Sequence, residues 1–216
     1  MILAVVWAFH EESNQTMPLT LRAGASIVSI PLLHTLDPLC YLLGEFTWLS
    51  ANLGTNIPNV RLTRKDGSKS DPVERKFHDA VSIQGVLESG ASASIAYNCT
   101  TKATPDRLDW IIAGEKASLK LEGDHATIQM ADNKLSIYEL PSEPKKDEFY
   151  GKKTLSTWEP VEVPTMLGFG GIGEVYQAFA EGNQTPLVDF DEAVKRHHMV
   201  DAIFRSAEKG TRESYQ

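Results

Sequence analysis

Apolar residues recur along this chain in two rhythms, and the change from one to the other marks its organisation. From His34 to Leu43 the residues Leu36, Leu39, Cys40, Leu42 and Leu43 return at mixed intervals of three and four, and Gly44 stands where a helix would stop. The spacing predicts one short helix. Ahead of it Ala25–Leu32 is apolar and carries β-branched Ile27, Val28 and Ile30, with Pro31 breaking a buried segment that leads into the helix. Phe46–Leu53 is then expected as a strand. Residues 64–76 are charged and rich in turn formers, which predicts a solvated loop between sheet elements.

Strand signals follow densely. Ala80–Leu87 and Ala91–Tyr97 flank Glu88-Ser89-Gly90, a hairpin pattern. Leu108–Ala113, Ala117–Leu121, Ala126–Met130 and Leu135–Leu140 come next, at spacings too short for a crossover helix, so the sheet is predicted to be largely antiparallel. Residues 141–158 are rich in Pro, Lys, Glu and Ser and are expected to form mobile surface, and Pro160–Pro164 gives one short edge-type strand. The end is helical: Gly173–Glu181 closes at Gly182, and Asp189 introduces a longer helix. In that helix Ala193, Val194, His197, Val200, Asp201, Ile203 and Phe204 form a stripe expected to pack on one face of the sheet. The pattern as a whole predicts one α+β domain over residues 20–216, preceded by an irregular segment over residues 1–19.

Composition narrows the function. The 216 residues carry 21 Lys and Arg against 29 Asp and Glu, a net charge of −8 that would repel a phosphate backbone, so direct nucleic-acid binding is not expected. The apolar start, Met1–Phe9, is about half the length that crosses a bilayer and has no basic lead, so no signal or membrane anchor is expected there. The two cysteines, Cys40 and Cys99, are too few for a disulfide framework and point to a reducing, cytoplasmic setting.

Candidate chemistry is sparse. Gly168-Phe169-Gly170-Gly171-Ile172-Gly173 satisfies the dinucleotide pattern G-x-G-x-x-G, but no buried parallel strand feeds it and no acidic residue ends a following strand, so it is expected to be a flexible loop. His34 and Asp37 lie three apart on the first turn of a helix, placing an imidazole and a carboxylate one above the other. The same pair also fits a helix cap and a satisfied polar contact. His197 and His198 point about 100° apart on a helix and cannot chelate one metal together, so no metal site is expected.

Gly24-Ala25-Ser26-Ile27-Val28-Ser29-Ile30-Pro31-Leu32-Leu33-His34-Thr35-Leu36-Asp37, with Leu43-Gly44-Glu45-Phe46, resembles the second domain of the Gfo/Idh/MocA oxidoreductases, and most closely the fungal Gal80-like branch. The likeness continues through Gln84–Ala91, Trp110–Ala117, Arg196-His197-His198, Asp201-Ala202-Ile203 and Ser206–Gly210, roughly residues 20 to 215. It implies an open, mainly antiparallel sheet with helices packed on one face, an α/β sandwich, whose other face serves closure or homodimer contact. It further implies NAD or NADP held by an N-terminal Rossmann domain, which also supplies a lysine from a Glu-Lys-Pro motif. Neither that domain nor its motif occurs in this sequence, so the chain is not expected to catalyse alone. In the resemblance the second domain supplies an Asp and a His four residues apart. The His falls on His34, with Asp37 as its neighbour at a carbohydrate-like substrate, whereas the acid position falls on Ile30. Two alternatives stay open: a piece of an NAD(P)-dependent sugar or polyol oxidoreductase, or a Gal80-like regulator that senses a ligand and binds protein partners in galactose-type transcriptional control, which would extend its location to the nucleus.

Overall fold

The computed structural model describes residues 2–10 (as backbone), 26–62, 64, 66–100, 107–125, 128–129, 132–139, 157–163, 171–183 and 188–216. The strands are β1 (Ile2–His10), β2 (Phe46–Gly54), β3 (Asn59–Val60), β4 (Val73–Glu74), β5 (Ala80–Leu87), β6 (Ser92–Thr100), β7 (Arg107–Ala113), β8 (Ala117–Gly123), β9 (Lys134–Glu139) and β10 (Glu159–Val161). The helices are α1 (Leu33–Leu43), α2 (Ile172–Glu181) and α3 (Phe190–Lys209). Eight strands form one sheet in the order β10-β9-β8-β7-β1-β6-β5-β2, and β3 and β4 pair separately, β4 lying inside the segment expected to be loop and β3 just before it. Every neighbouring pair in the large sheet is antiparallel except β1 with β6. The α+β expectation, with its open and mainly antiparallel sheet, holds.

The first residues do not. Residues 2–10, expected to be irregular, run as β1 through the middle of the sheet, parallel to β6 and antiparallel to β7. Ile2, Val5, Val6, Trp7 and Phe9 suit a strand by type, but their partners lie about ninety residues onward and give no local signal. Residues 11–19 of that segment lie outside the described residues, as do residues 141–156. Of the expected strand Ala126–Met130, Ile128 and Gln129 sit in a turn and the rest lies outside the described residues.

Alternation decides which face is covered. Val81, Ile83 and Leu87 on β5, Ile95 and Tyr97 on β6, and Leu108 and Trp110 on β7 are buried, and they share one core with Leu36 and Leu39 of α1 and Met199 and Ile203 of α3. Ser82, Gln84, Ser92 and Ser94 point the other way and are exposed. Among the described residues no helix is long and apolar enough to cross a membrane.

The entrance to α1 is unusual. Val28–Leu32 form a π-helical turn continuous with α1, where the sequence reads as a break at Pro31. In an α-helix the Ile27 carbonyl would accept from the N–H of residue 31, and proline has none. The chain widens by one residue instead, and Leu32 N donates to Ile27 O at 3.0 Å. Helix α3 starts as expected, with the Asp189 carboxylate accepting from Glu192 N at 3.0 Å, and stops at Gly210 with φ 67°. Its buried face is Arg196, Met199, Val200, Ala202, Ile203 and Ser206. That face is rotated from the expected stripe, because a count of apolar residues passes over Arg196 and Ser206. Both are satisfied inside: Ser206 Oγ accepts from Ala51 N at 2.8 Å and donates to Thr211 O at 2.6 Å.

Candidate functional site

The π turn and α1 present Ile30, Leu33, His34 and Asp37 at intervals of three and four, so their side chains share one helical face. Helix α3 presents Ala193, Arg196 and His197 by the same spacing. These two faces, with Ser29 and Val188, line a cleft of about 420 Å³. His34 and Asp37 are therefore brought together, and Ile30 shares their cleft. His34 is exposed, and the Asp37 side chain keeps 49% of its exposure.

Arg196 joins the cleft to a buried network. Its side chain is only 8% exposed; Nε lies 3.0 Å from Asp37 Oδ1, while Nη1 reaches Glu45 Oε2 at 2.9 Å and Nη2 binds Glu45 Oε1. This is the two-pronged geometry a guanidinium makes with a carboxylate. The Tyr215 hydroxyl donates to Glu45 Oε2 at 2.7 Å and accepts from Phe46 N at 3.0 Å. Burial pushes the Glu45 carboxyl up, but hydrogen bonds from Arg196 and Tyr215 and the charge of Arg196 outweigh it, leaving Glu45 below the ordinary carboxylate range. Burial likewise opposes the charge on Arg196, and its hydrogen bonds to Glu45 win, holding the guanidinium above its usual range. Cys40 sits beside this cluster, its thiol pushed up to about 12 by burial and then by the Glu45 charge.

Reading the sequence missed Arg196, Glu45 and Tyr215 as a unit, and it set His197 aside as unable to chelate. A signal existed: Arg196 stands four residues before Val200 and seven before Ile203, on the buried side of its helix, where an arginine needs a partner. Nothing local says that the partner is Glu45, 151 residues away. His198 is exposed and does not line the cleft. No group of three or more metal-type ligands occurs among the described residues.

A second depression of about 350 Å³, lined by Arg107, Glu122, Asp124, Asp132 and Lys134, lies along β7, β8 and the approach to β9. Its charges are mixed and partly engaged, Arg107 with Asp109 and Glu122 with Lys120, so the cleft of His34 is the better candidate.

Residues 3–123, more than half of the chain, match the family described as Gal80p, C-terminal domain. The chain belongs to the Gal80p C-terminal domain family. The match begins inside β1, which agrees with the central place of that strand. The dehydrogenase aclE of Aspergillus oryzae is 33% identical over 209 residues, covering 96% of this chain and 53% of the relative. Among solved structures, a super-repressor variant of Gal80p from Saccharomyces cerevisiae superposes with a TM-score of 0.73 at 19% identity, covering 99% of this chain and 57% of that one. Levoglucosan dehydrogenase superposes with a TM-score of 0.72 at 20% identity, covering all of this chain and 59% of that one. The chain thus spans about half the length of the dehydrogenase it matches, and its relatives include a regulatory protein of galactose and lactose metabolism, from Kluyveromyces lactis, as well as that dehydrogenase.

The described residues do not fit a dinucleotide cradle. Such a cradle needs a buried parallel strand running into a glycine turn at a helix N-terminus. Gly168–Gly170 lie outside the described residues; Gly171 caps α2 with φ 81°, and the described parallel pair, β1 with β6, does not lead into it.

Proposed function

We propose that this chain is the substrate-binding and dimerising domain of an NAD(P)-dependent oxidoreductase acting on a carbohydrate-like secondary alcohol, and that it does not catalyse by itself. The observation that carries this reading is the cleft in which His34, Asp37, Arg196 and His197 converge from two helices. The proton work falls to this chain: the His34 imidazole takes the hydroxyl proton of a bound alcohol, or returns it to the ketone in reverse. Asp37, ion-paired to Arg196, stays fixed beside it and can accept a hydrogen bond from a substrate hydroxyl. The nicotinamide belongs to a separate nucleotide-binding domain in this reading.

Replacing His34 by Ala in the protein that carries this domain beside a nucleotide-binding domain should lower kcat by about 10²- to 10⁴-fold with little change in KM. An unchanged rate removes His34 from the proton step. A Gal80-like regulatory role, with the chain binding a ligand and protein partners in the nucleus, is the second reading. One observation favours it: Ile30, an aliphatic side chain, occupies the cleft wall one helical turn before His34. Absence of turnover in the intact protein with either nucleotide would support that role.

The dimer would form through the open sheet face, where Ser82, Gln84, Ser92 and Ser94 expose uncharged polar side chains. Ser94→Arg should shift the sedimentation-equilibrium mass from dimer to monomer; an unchanged mass places the contact elsewhere.

A further inference from the structure

Resting on the reading of the cleft as a substrate site, a narrower statement about the substrate follows from what lines it. Ile30 and Leu33 come from the side of the π turn and α1, and Val188 and Ala193 from the side of α3, so both walls carry aliphatic surface. Asp37 is ion-paired to Arg196, and Arg196 is committed to Glu45. The polar side chains of the described lining that stand most open to a ligand are the two imidazoles, His34 and His197, both exposed.

We infer that the cleft takes a cyclic secondary alcohol, or its ketone, with its ring faces bare of hydroxyls and its oxygens gathered along one edge. A fully hydroxylated ring would press hydroxyls against Ile30, Leu33, Val188 and Ala193, side chains that offer no hydrogen-bond partner, and each unpaired hydroxyl taken from water is penalised. A bare ring face gains from the same contact. The volume of about 420 Å³ holds a molecule of one or two rings. Two imidazoles reach one edge of such a ring, one for the reacting hydroxyl and one for a neighbouring oxygen, each able to donate or accept.

The test uses the intact chain and two probes of equal ring size, trans-cyclohexane-1,2-diol and myo-inositol, compared by saturation-transfer-difference NMR titration. The diol should bind at least about tenfold more tightly than the hexol, the effect of a single unpaired hydroxyl. Ile30→Asp, at a position 42% exposed, should erase that preference while leaving Tm within a few degrees. If myo-inositol binds as well as the diol, the inference fails and the cleft survives as a substrate site. The inference also fails if the preference persists in Ile30→Asp, because the diol then binds outside the cleft. If neither probe gives a saturable signal, both the inference and the reading of the cleft as a substrate site fall.

Discussion

Removing Glu45 tests the network behind the cleft. Glu45→Ala leaves Arg196, 8% exposed, without its two-pronged partner, and leaves Tyr215 without the acceptor for its hydroxyl. Breaking a buried pair from one side costs about 3–5 kcal/mol, because a charge stays buried and uncompensated. Here the low end applies, about 3 kcal/mol, since Asp37 and Glu192, with side chains 49% and 45% exposed, still face the guanidinium. Urea denaturation should show the midpoint falling by about 1 M at a slope near 3 kcal/mol per M, with the slope itself unchanged. Removing both charges, in Glu45→Leu with Arg196→Met, should cost less than the two single changes added together, because neither charge is then stranded. The pH dependence has a definite sign. A carboxylate whose folded pKa lies below its unfolded value of about 4.3 contributes stability above that pH and loses it as the pH falls further. The gap between the wild type and Glu45→Gln should therefore close as the pH drops below about 4.3. A loss under about 1 kcal/mol, the worth of an exposed pair, or strict additivity of the double change, would refute the claim that Arg196 and Glu45 act as one buried unit.

Other consequences are more local. Gly85→Ala should destabilise by about 1–3 kcal/mol or more in the same urea assay, since a Cβ there would meet Trp48 O at 2.5 Å and Phe46 Cδ1 at 2.6 Å, beside the bulge between Phe46 and Trp48. Wild-type stability in that variant would mean β2 can move away from β5. In a Cys99→Ala background, Cys40 should resist alkylation by iodoacetamide at pH 8 until denaturant is added, because its buried thiol is pushed up to about 12; rapid labelling of the folded chain would show that the Cys40 cluster opens. The loss of kcat in His34→Ala and the monomerisation by Ser94→Arg complete the set.

The C-terminal tail explains how the network holds the fold as well as the cleft. Strand β2 is the last in its sheet and presents an open edge, which invites pairing with another chain. Glu213 covers it, exchanging backbone hydrogen bonds with Leu49 at 2.9 and 2.8 Å. Two residues on, Tyr215 reaches Glu45, so the ion pair facing the cleft and the seal on the sheet edge share one carboxylate. Loss of Glu45 should therefore loosen the edge of β2 and the floor of the cleft together.

Local chemistry by itself determined much of this protein. The alternation over Ala80–Leu87 and Leu108–Ala113 marked strands and their buried face, because a strand repeats every two residues whatever it pairs with. Asp189 opened α3 through capping, which also acts within one turn. The spacing of His34 and Asp37 put both on one side of a helix for the same reason. The tertiary structure decided the rest. That Ile2–His10 runs through the centre of the sheet depends on partners at Ser92–Thr100, and hydrogen bonds between distant strands leave no pattern within either one. That Arg196 is an anchor rather than a solvated charge depends on Glu45 and Asp37 arriving from another element. The turn at Pro31 became π-helical rather than a break because Leu32 N could reach the carbonyl five residues back. The cleft exists because two helices, each with a readable stripe, lie side by side, and that adjacency belongs to the packed core and not to either stripe.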